Sequence, residues 1–166
     1  GMKRLQAQPA DSVLLLGAGP MSMLWLQVLR HGNASQIVVT DLYPSRLEAA
    51  REFGASDVVV ADESQEERLR EVSPRGFDIV IDVTGVPKVL EAGFKYVKPM
   101  GKLMAFGVCP MNSSISVNPF EIYNKDITIL GSMAINYTFE QAVELAEAGV
   151  VDLRSLVSHT FPLEEF

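Results

Sequence analysis

The feature that most constrains the fold of this chain is an uninterrupted apolar run that ends in a glycine-rich turn. The run, Val13–Leu16, is followed directly by the turn Gly17–Ser22. A short run without polar alternation is typical of a strand buried on both faces of a parallel sheet. After the turn, apolar side chains recur at spacings of three and four, as on one stripe of a helix, and Gly32–Asn33 is a helix stop signal. The sequence therefore predicts a strand, a tight turn and a helix.

The same alternation of apolar runs and helical stretches continues along the chain. Six strands are predicted, at Val13–Leu16, Ile37–Thr40, Val58–Val60, Phe77–Val83, Lys102–Phe106 and Ile127–Leu130. Further helices are predicted from Pro44 to Gly54, over about Ser64–Val72, from Pro87 to Val97, and from a capping box formed by Thr138 and Gln141 to Gly149. Strands that alternate with helices pair in parallel through right-handed crossovers. The pattern therefore predicts an α/β fold, a three-layer doubly wound (Rossmann) sheet with six strands in the order 3-2-1-4-5-6.

The predicted domain covers residues 11–166. Residues 1–10 begin with Gly1 before Met2, and we expect them to be a linker or the remnant of a tag outside the fold.

Composition argues against several classes of protein. The net charge of −7 disfavours nucleic acid or an anionic membrane as the main partner, because both require a basic face. The apolar stretch from Val13 to Leu29 is interrupted by glycines and a proline, which disfavours a signal peptide or a membrane span. Cys109 is the only cysteine, so no disulfide can form within the chain, and a cytoplasmic location is expected. With two histidines besides, the chain is expected to hold no metal ion, and no catalytic residue is predicted on it.

The turn Gly17–Ser22 has the spacing of a phosphate-binding G-x-G-x-x-G turn, with serine in the third position. Gly17 allows the sharp change from strand to helix, and Gly19 lets the backbone approach a pyrophosphate that a Cβ would obstruct. The helix that follows presents free N–H groups and the positive end of its dipole to that anion. Ser22 is small enough for close packing of helix on strand, although it departs from the glycine of the motif.

An acidic residue, Asp41, ends the second predicted strand about twenty residues beyond the turn. A carboxylate at this position accepts hydrogen bonds from the adenosine ribose hydroxyls and repels a 2′-phosphate, so the sequence predicts NAD rather than NADP. Arg46 leaves an alternative open. It would attract a 2′-phosphate if it faced the ribose, whereas the simpler interpretation is a solvated charge in the first turns of a helix.

With these residues in place, the chain resembles the cofactor domain of medium-chain, zinc-dependent alcohol and polyol dehydrogenases, in particular the sorbitol, butanediol and threonine dehydrogenase branches. The resemblance extends from Asp11 to Phe166. It is carried by several short motifs in the same order, namely Gly17–Ser22, Asp41-Leu42, Phe53-Gly54-Ala55, Asp78–Gly85, Pro99–Lys102, Phe106–Val108, Lys125–Ser132 and His159–Phe166.

The resemblance implies a set of cofactor-binding residues on the turns after the strands. The pyrophosphate would be held by Gly17–Met21 and the adenosine ribose by Asp41. Thr84 and Gly85 would lie beside the cofactor at the mouth of the fourth strand. Backbone groups of Phe106, Val108, Ser132 and Ala134 would meet the nicotinamide carboxamide. The full set is Gly17, Ala18, Gly19, Pro20, Met21, Ser22, Asp41, Leu42, Arg46, Thr84, Gly85, Phe106, Gly107, Val108, Ser132 and Ala134.

The resemblance also implies parts that this chain does not supply. In the family a separate catalytic domain carries the zinc, and the complete enzyme transfers hydride between an alcohol and NAD. We therefore expect this chain to bind NAD, to be inactive alone, to partner a catalytic domain and to form a homodimer through the edge of the sixth strand. The alternative is a standalone, non-catalytic NAD-binding or dimerising module. Cys109 has no identifiable partner base, so a structural role is favoured for it.

Overall fold

The predicted strands form one all-parallel sheet in the computed structural model, which describes residues 1–134 and 137–165. The strands are β1 (Ser12–Leu16), β2 (Gln36–Asp41), β3 (Asp57–Val60), β4 (Phe77–Asp82), β5 (Val97–Ala105) and β6 (Thr128–Gly131). Their order across the sheet is β3-β2-β1-β4-β5-β6, which confirms the predicted doubly wound fold. In the register of β1, Leu15 lies opposite Val39 on one side and Ile81 on the other.

The helices cover both faces of this sheet. They are α1 (Met2–Leu5), α2 (Pro20–His31), α3 (Pro44–Glu52), α4 (Gln65–Val72), α5 (Pro87–Gly93), α6 (Pro119–Lys125) and α7 (Phe139–Glu147), with 3-10 turns at Phe94–Tyr96 and Leu163–Glu165. Four of these helices begin with proline, whose fixed φ suits the first helical position and whose missing N–H has no partner there in any case. Within the residues described, no helix has both the length and the apolar character needed to cross a membrane.

The apolar run of β1 supplies both hydrophobic cores. Val13 and Leu15 belong to the cluster on one face of the sheet, while Leu14 and Leu16 belong to the cluster on the other. Because successive side chains of a strand point to opposite faces, a strand with helices on both sides requires apolar residues at every position. This explains the absence of polar alternation in the run.

The first ten residues differ from the expectation of a linker outside the fold. Leu5 in α1 is fully buried in the core that β1 and α2 share. The Lys102 ammonium donates hydrogen bonds to the carbonyl oxygens of Leu5 (2.7 Å) and Gln6 (3.1 Å). Residues 2–6 therefore pack on the domain, because Leu5 has an apolar site to fill and Lys102 caps the open carbonyl end of α1.

Three local predictions were wrong or incomplete. β5 begins at Val97 rather than Lys102. Met100, which has φ +63°, lies in the part of β5 where the register between β5 and β4 shifts. The capping box at Thr138 does not form in the part of the chain described, since Thr138 has ψ 11° rather than an extended backbone. Helix α6 was not predicted, although Asn118 accepts a hydrogen bond from Phe120 N as its N-cap.

A partly buried carboxylate joins β4 to β1 at the amino end of the sheet. Asp78 accepts hydrogen bonds from Ser12 N (3.0 Å) and Ser12 Oγ (2.7 Å) and forms an ion pair with Lys98. Burial opposes ionisation of this carboxyl, but the hydrogen bonds from Lys98 and Ser12 outweigh burial and hold the pKa of Asp78 below its ordinary value. The ionised form is therefore favoured by folding.

We predict that Asp78→Asn lowers the free energy of unfolding by about 1–3 kcal/mol at pH 7, the usual contribution of hydrogen bonds to a charged group. Because the folded-state pKa is depressed, this contribution is complete above the unfolded pKa of about 3.9 and is lost as the pH falls through the folded pKa. Urea unfolding of both proteins over a pH series should show the difference shrinking in acid. An equally large difference at the lowest pH at which both remain folded would contradict the assignment.

Candidate functional site

The order of the strands creates a crevice at one edge of the sheet. β1 pairs with β2 on one side and β4 on the other, so the chain leaves the carboxyl ends of β1 and β4 toward opposite faces. In open parallel sheets, ligands bind outside the carboxyl ends of the strands at this reversal. The turn Gly17–Ser22 lies there, directly after β1.

The two glycines of this turn differ in whether the fold requires glycine at that position. Gly17 has φ +105°, and a Cβ on it would lie 2.8 Å from Thr84 Cγ2, so the fold itself requires glycine. Gly19 has φ −78°, which any residue adopts, and a Cβ there would meet no atom within 4 Å. The fold does not need glycine at position 19, and the space beside it is open.

The amino end of α2 follows Gly19 and is suited to an anion. Pro20 has no N–H, and within the described residues the backbone N–H of Met21 has no backbone acceptor. The first turn of α2 contains no acidic side chain to occupy this end. The free N–H of Met21 and the positive end of the helix dipole are therefore available to an anion at this end of α2.

Ser22, in the third position of the motif, faces inward. Its side chain is fully buried, and its hydroxyl donates a hydrogen bond to the carbonyl oxygen of Gly17. A larger side chain would push α2 away from β1 at this point. The serine thus preserves the close packing of helix on strand and satisfies its own hydroxyl without entering the crevice.

Asp41, at the end of β2, is attached directly to the glycine turn. Its side chain is 8% exposed; Oδ2 accepts a hydrogen bond from Ala18 N (2.8 Å), and Oδ1 accepts one from Tyr43 N (2.9 Å). An ionised carboxylate has about four acceptor positions. Two positions therefore remain for donors that approach from the crevice.

Arg46 lies beside this carboxylate rather than on a distant face of α3. A guanidinium nitrogen lies 3.8 Å from Asp41 Oδ2, and the guanidinium covers the Tyr43 ring at 4.9 Å from its centroid. The Arg46 side chain is still 56% exposed. Its charge is thus available at the rim of the crevice while it partly compensates the charge of Asp41.

A groove of about 400 Å³ joins these residues to the face of α5. The predicted residues that line it are Gly17, Asp41, Leu42, Arg46 and Thr84. Sequence reasoning missed the other lining residues, which are Leu16, Thr40, Tyr43, Ala61, Gln65, Val86, Lys88, Val89, Ala92 and Tyr96. The available signal was position, since Tyr43, Ala61 and Val86 follow the ends of β2, β3 and β4 at the same edge of the sheet.

The loops after β4 and β5 pack against each other through their backbones. Gly85 has φ +70°, and a Cβ on it would lie 2.5 Å from Val108 O. A Cβ on Gly107 would lie 2.1 Å from Gly85 N. Neither position has room for a side chain, so the pairs Thr84–Gly85 and Gly107–Val108 are held in contact.

The other predicted residues of the glycine turn, Ala18–Ser22, and Gly85 do not line this groove, and neither do the predicted residues that follow β5 and β6. Phe106 packs edge-on against Trp25, with 5.3 Å between ring centroids, and Val108 is 91% exposed. Ser132 N donates a hydrogen bond to Ala105 O (3.2 Å), and Ala134 is exposed. All four lie after strand ends on the crevice side of the sheet, and their contact with a carboxamide stays a prediction.

A doubly wound sheet with a glycine turn at the strand reversal and an acidic residue at the end of β2 defines the Rossmann class of domains. Residues 20–148 match the sequence model of the family described as zinc-binding dehydrogenase, and the chain therefore belongs to that family.

One relative in sequence and two solved structures in fold are similar to this chain. It is 33% identical to D-altritol 5-dehydrogenase of Agrobacterium fabrum over 93% of this chain and 45% of that protein. An NADH complex of a short chain alcohol dehydrogenase from E. coli CFT073 superposes with a TM-score of 0.91 at 23% identity, over 99% of this chain and 48% of that one. A Sinorhizobium meliloti 1021 protein bound to NADP superposes with a TM-score of 0.87 at 23% identity, over 95% of this chain and 47% of that one. The chain thus spans about half the length of the relatives that it matches.

The family name implies zinc, and the described residues do not fit it. Among residues 1–134 and 137–165, no three His, Cys, Asp or Glu side chains are grouped closely enough to hold a metal ion. Cys109 is a partly buried free thiol. Any zinc chemistry of the family therefore needs ligands other than these.

We predict that alanine destabilises the fold strongly at Gly17 and only slightly at Gly19. Gly17→Ala should lower the free energy of unfolding by more than about 2 kcal/mol, because φ is positive and the new Cβ meets Thr84. Gly19→Ala should change it by less than about 1 kcal/mol, the difference between Gly and Ala at an N-cap position. Urea unfolding of the two variants measures both values. Equal destabilisation by the two substitutions would show that Gly19 also serves the fold.

Proposed function

We propose that this chain is the NAD-binding domain of a zinc-type alcohol or polyol dehydrogenase. The observation that carries the proposal is the hydrogen bond from Ala18 N to Asp41, which fixes a carboxylate with two free acceptor positions beside an open glycine turn. An anion and a pair of hydroxyl groups, as in the diphosphate and ribose of a dinucleotide, match this arrangement. The bound cofactor supplies hydride transfer between its nicotinamide ring and an alcohol carbon.

Each part of the crevice binds a different part of the dinucleotide in this proposal. The amino end of α2 holds the pyrophosphate beside Gly19, where no side chain intrudes. The free acceptor positions of Asp41 receive the adenosine ribose hydroxyls. The groove between the Leu42–Arg46 turn and the apolar residues Val86 and Val89 receives the adenine ring.

We propose NAD rather than NADP because Asp41 stands where a 2′-phosphate would lie. A second anion within a few ångströms of a largely buried carboxylate is strongly repelled. Arg46 and Lys88 are the two cations that line the groove, and Arg46 is partly compensated by Asp41 itself. The two related structures carry NADH in one case and NADP in the other.

The complete enzyme is proposed to act on CH–OH groups together with a catalytic domain, as the polyol dehydrogenase among its relatives does by name. We further propose a cytoplasmic location, which the single free cysteine supports. A standalone NAD-binding or dimerising module is the second candidate. The lack of a metal-ligand cluster in the described residues favours it.

The sheet offers a surface for a second copy of the chain. β6 is the terminal strand, and its Ile129 side chain is 49% exposed. In α7, the next helix along the chain, Phe139 is 78% exposed. An apolar edge strand of this kind is an aggregation hazard unless it is paired or covered. We propose that the β6 edges of two copies pair about a two-fold axis.

Thermal unfolding with NADH and with NADPH tests the cofactor proposal. We predict stabilisation of the wild-type chain by NADH, reaching about 2.7 kcal/mol at a concentration one hundred times Kd, and a much weaker response to NADPH. Asp41→Asn should reduce the stabilisation by NADH and make the stabilisation by the two cofactors more nearly equal. Gly19→Ala, which leaves the fold intact, should abolish both responses because its Cβ occupies the pyrophosphate space.

The absence of any response by the folded wild-type chain would refute the cofactor proposal. A preference for NADPH would instead assign the ribose site to Arg46 and overturn only the choice of NAD.

Sedimentation tests the dimer. We expect the sedimentation coefficient of the wild-type chain to rise with concentration and that of Ile129→Lys to stay at the monomer value, because a charge on the β6 edge cannot be buried unpaired. Met100→Lys is the matched control, since Met100 is exposed in β5 at the amino end of the sheet. A wild-type coefficient that stays at the monomer value at every concentration would rule out the β6 dimer.

A further inference from the structure

Two uncharged polar side chains line the groove and have no role in the function proposed so far. Gln65 is the first residue of α4, and Tyr96 lies in the 3-10 turn after α5. Gln65 Nε2 donates a hydrogen bond to Tyr96 Oη (3.0 Å), and both residues line the groove. Tyr96 is 8% exposed and belongs to a hydrophobic core cluster, so close packing fixes the position of its hydroxyl.

The groove lies between the two helices that this hydrogen bond connects. Leu69 of α4 and Val89 of α5 pack with Leu16 in one hydrophobic cluster, so both helices cover the same face of the sheet. Leu16 also lines the groove, as do Gln65 on the α4 side and Val89 on the α5 side. A flat, mostly apolar ring therefore has a wall on each side.

The groove follows α5 from one end to the other. Val86, the N-cap of α5, and Ala92, in its last turn, both line it. At about 1.5 Å per residue, the helix rises about 9 Å between them. Tyr96 comes after Ala92 along the chain, so its side chain enters the groove from the inner end. The hydrogen bond to Gln65 then joins that end to the α4 wall.

The pair presents one acceptor and one donor side by side. Because their hydrogen bond uses Nε2 of Gln65 and a lone pair of Tyr96, it leaves Gln65 Oε1 as an acceptor and the Tyr96 hydroxyl proton as a donor. The complementary ligand has an amino group next to a ring nitrogen. Among purines, adenine has this pattern, whereas guanine has a carbonyl oxygen where adenine has its 6-amino group.

The position of the ribose determines which edge of a base reaches this pair. Under the proposed function the ribose lies at Asp41, and Ala61 N donates to Asp41 O (2.9 Å), so the segment that leads to Gln65 begins beside the ribose site. The 6-amino group of adenine lies across the purine from the bond to ribose. The charged residues Arg46 and Lys88 lie in the first turns of α3 and α5, at the mouth. A base that enters from Asp41 therefore leads with its amino edge.

We propose that Gln65 and Tyr96 determine the specificity of this groove for adenine. Gln65 Oε1 accepts a hydrogen bond from the 6-amino group, and the Tyr96 hydroxyl donates one to a ring nitrogen beside it. Val86 and Val89 contact the ring without distinguishing one purine from another. This inference rests on the proposed cofactor function, and it adds that the chain discriminates between dinucleotides that differ only in the purine.

Calorimetric binding of NADH and of its hypoxanthine analogue tests the inference, because the analogue has a carbonyl in place of the 6-amino group. We expect the wild-type chain to bind NADH at least about tenfold more tightly, since the carbonyl would face the acceptor of Gln65. Tyr96→Phe and Gln65→Met nearly conserve side-chain volume. Each should weaken NADH binding until the two affinities agree within about twofold.

The chain offers matched controls outside the groove. Gln36 donates a side-chain hydrogen bond to Asp57 (3.4 Å) at the amino end of β2, and Tyr123 is 81% exposed on α6. Neither lines the groove. Gln36→Met and Tyr123→Phe make the same chemical changes as the test variants and should keep the wild-type preference for NADH.

Three outcomes would overturn the inference. They are equal wild-type affinity for the two dinucleotides or tighter binding of the analogue, an unchanged preference in either folded test variant, and the same loss of preference in a control variant. If one test variant does not fold, the other decides. A wild-type chain that binds neither dinucleotide would instead refute the proposed cofactor function.

Discussion

The structure depends on β1, the one strand that is hydrogen-bonded to β2 on one side and β4 on the other while both its faces are buried. Because β1 lies where the two halves of the chain meet, the order of the remaining strands follows from it. The connections from β1 and β4 leave to opposite faces, and the space between them is the crevice. A polar residue at Leu14 or Leu15 would therefore disturb a hydrophobic core and the geometry of the glycine turn together.

The ends of β2 and β4 use the same local device. In each, a terminal aspartate accepts a hydrogen bond from the N–H two residues further on, at Tyr43 (2.9 Å) and at Thr84 (3.0 Å). These turns shape the rim of the crevice, and they place two carboxylates on the side where an anionic ligand is proposed to bind. The free N–H of Met21 and the dipole at the start of α2 must outweigh that charge. Asp41 keeps acceptor positions for hydroxyl groups, whereas Asp82 is closed off from solvent.

Much of the fold could be predicted from the sequence because its strands are buried on both faces. Val13–Leu16 is apolar at every position and Phe77–Val83 is apolar apart from Asp78 and Asp82, and such runs are typical of strands in covered parallel sheets. Local exceptions could not be predicted from periodicity. The irregularity in β5 at Met100 depends on pairing with β4, and the packing of Leu5 depends on a core formed by distant residues. Helix α6 is a different case, since Asn118-Pro119 is a recognisable start signal in the sequence.

The candidate site, like the fold, could be predicted from the sequence only in part. Gly17, Gly19 and Asp41 were identified because a fixed spacing links each to a strand end, and the structure brings these strand ends together. Lys88 and Val89 were missed because they line the groove only after α5 packs on the sheet.

The most direct test of the central claim is a crystal structure of this chain with NADH. The account predicts the pyrophosphate beside Gly19 at the start of α2 and both adenosine ribose hydroxyls within hydrogen-bond distance of Asp41. Density for the dinucleotide elsewhere, or a bound dinucleotide whose ribose does not contact Asp41, would contradict it.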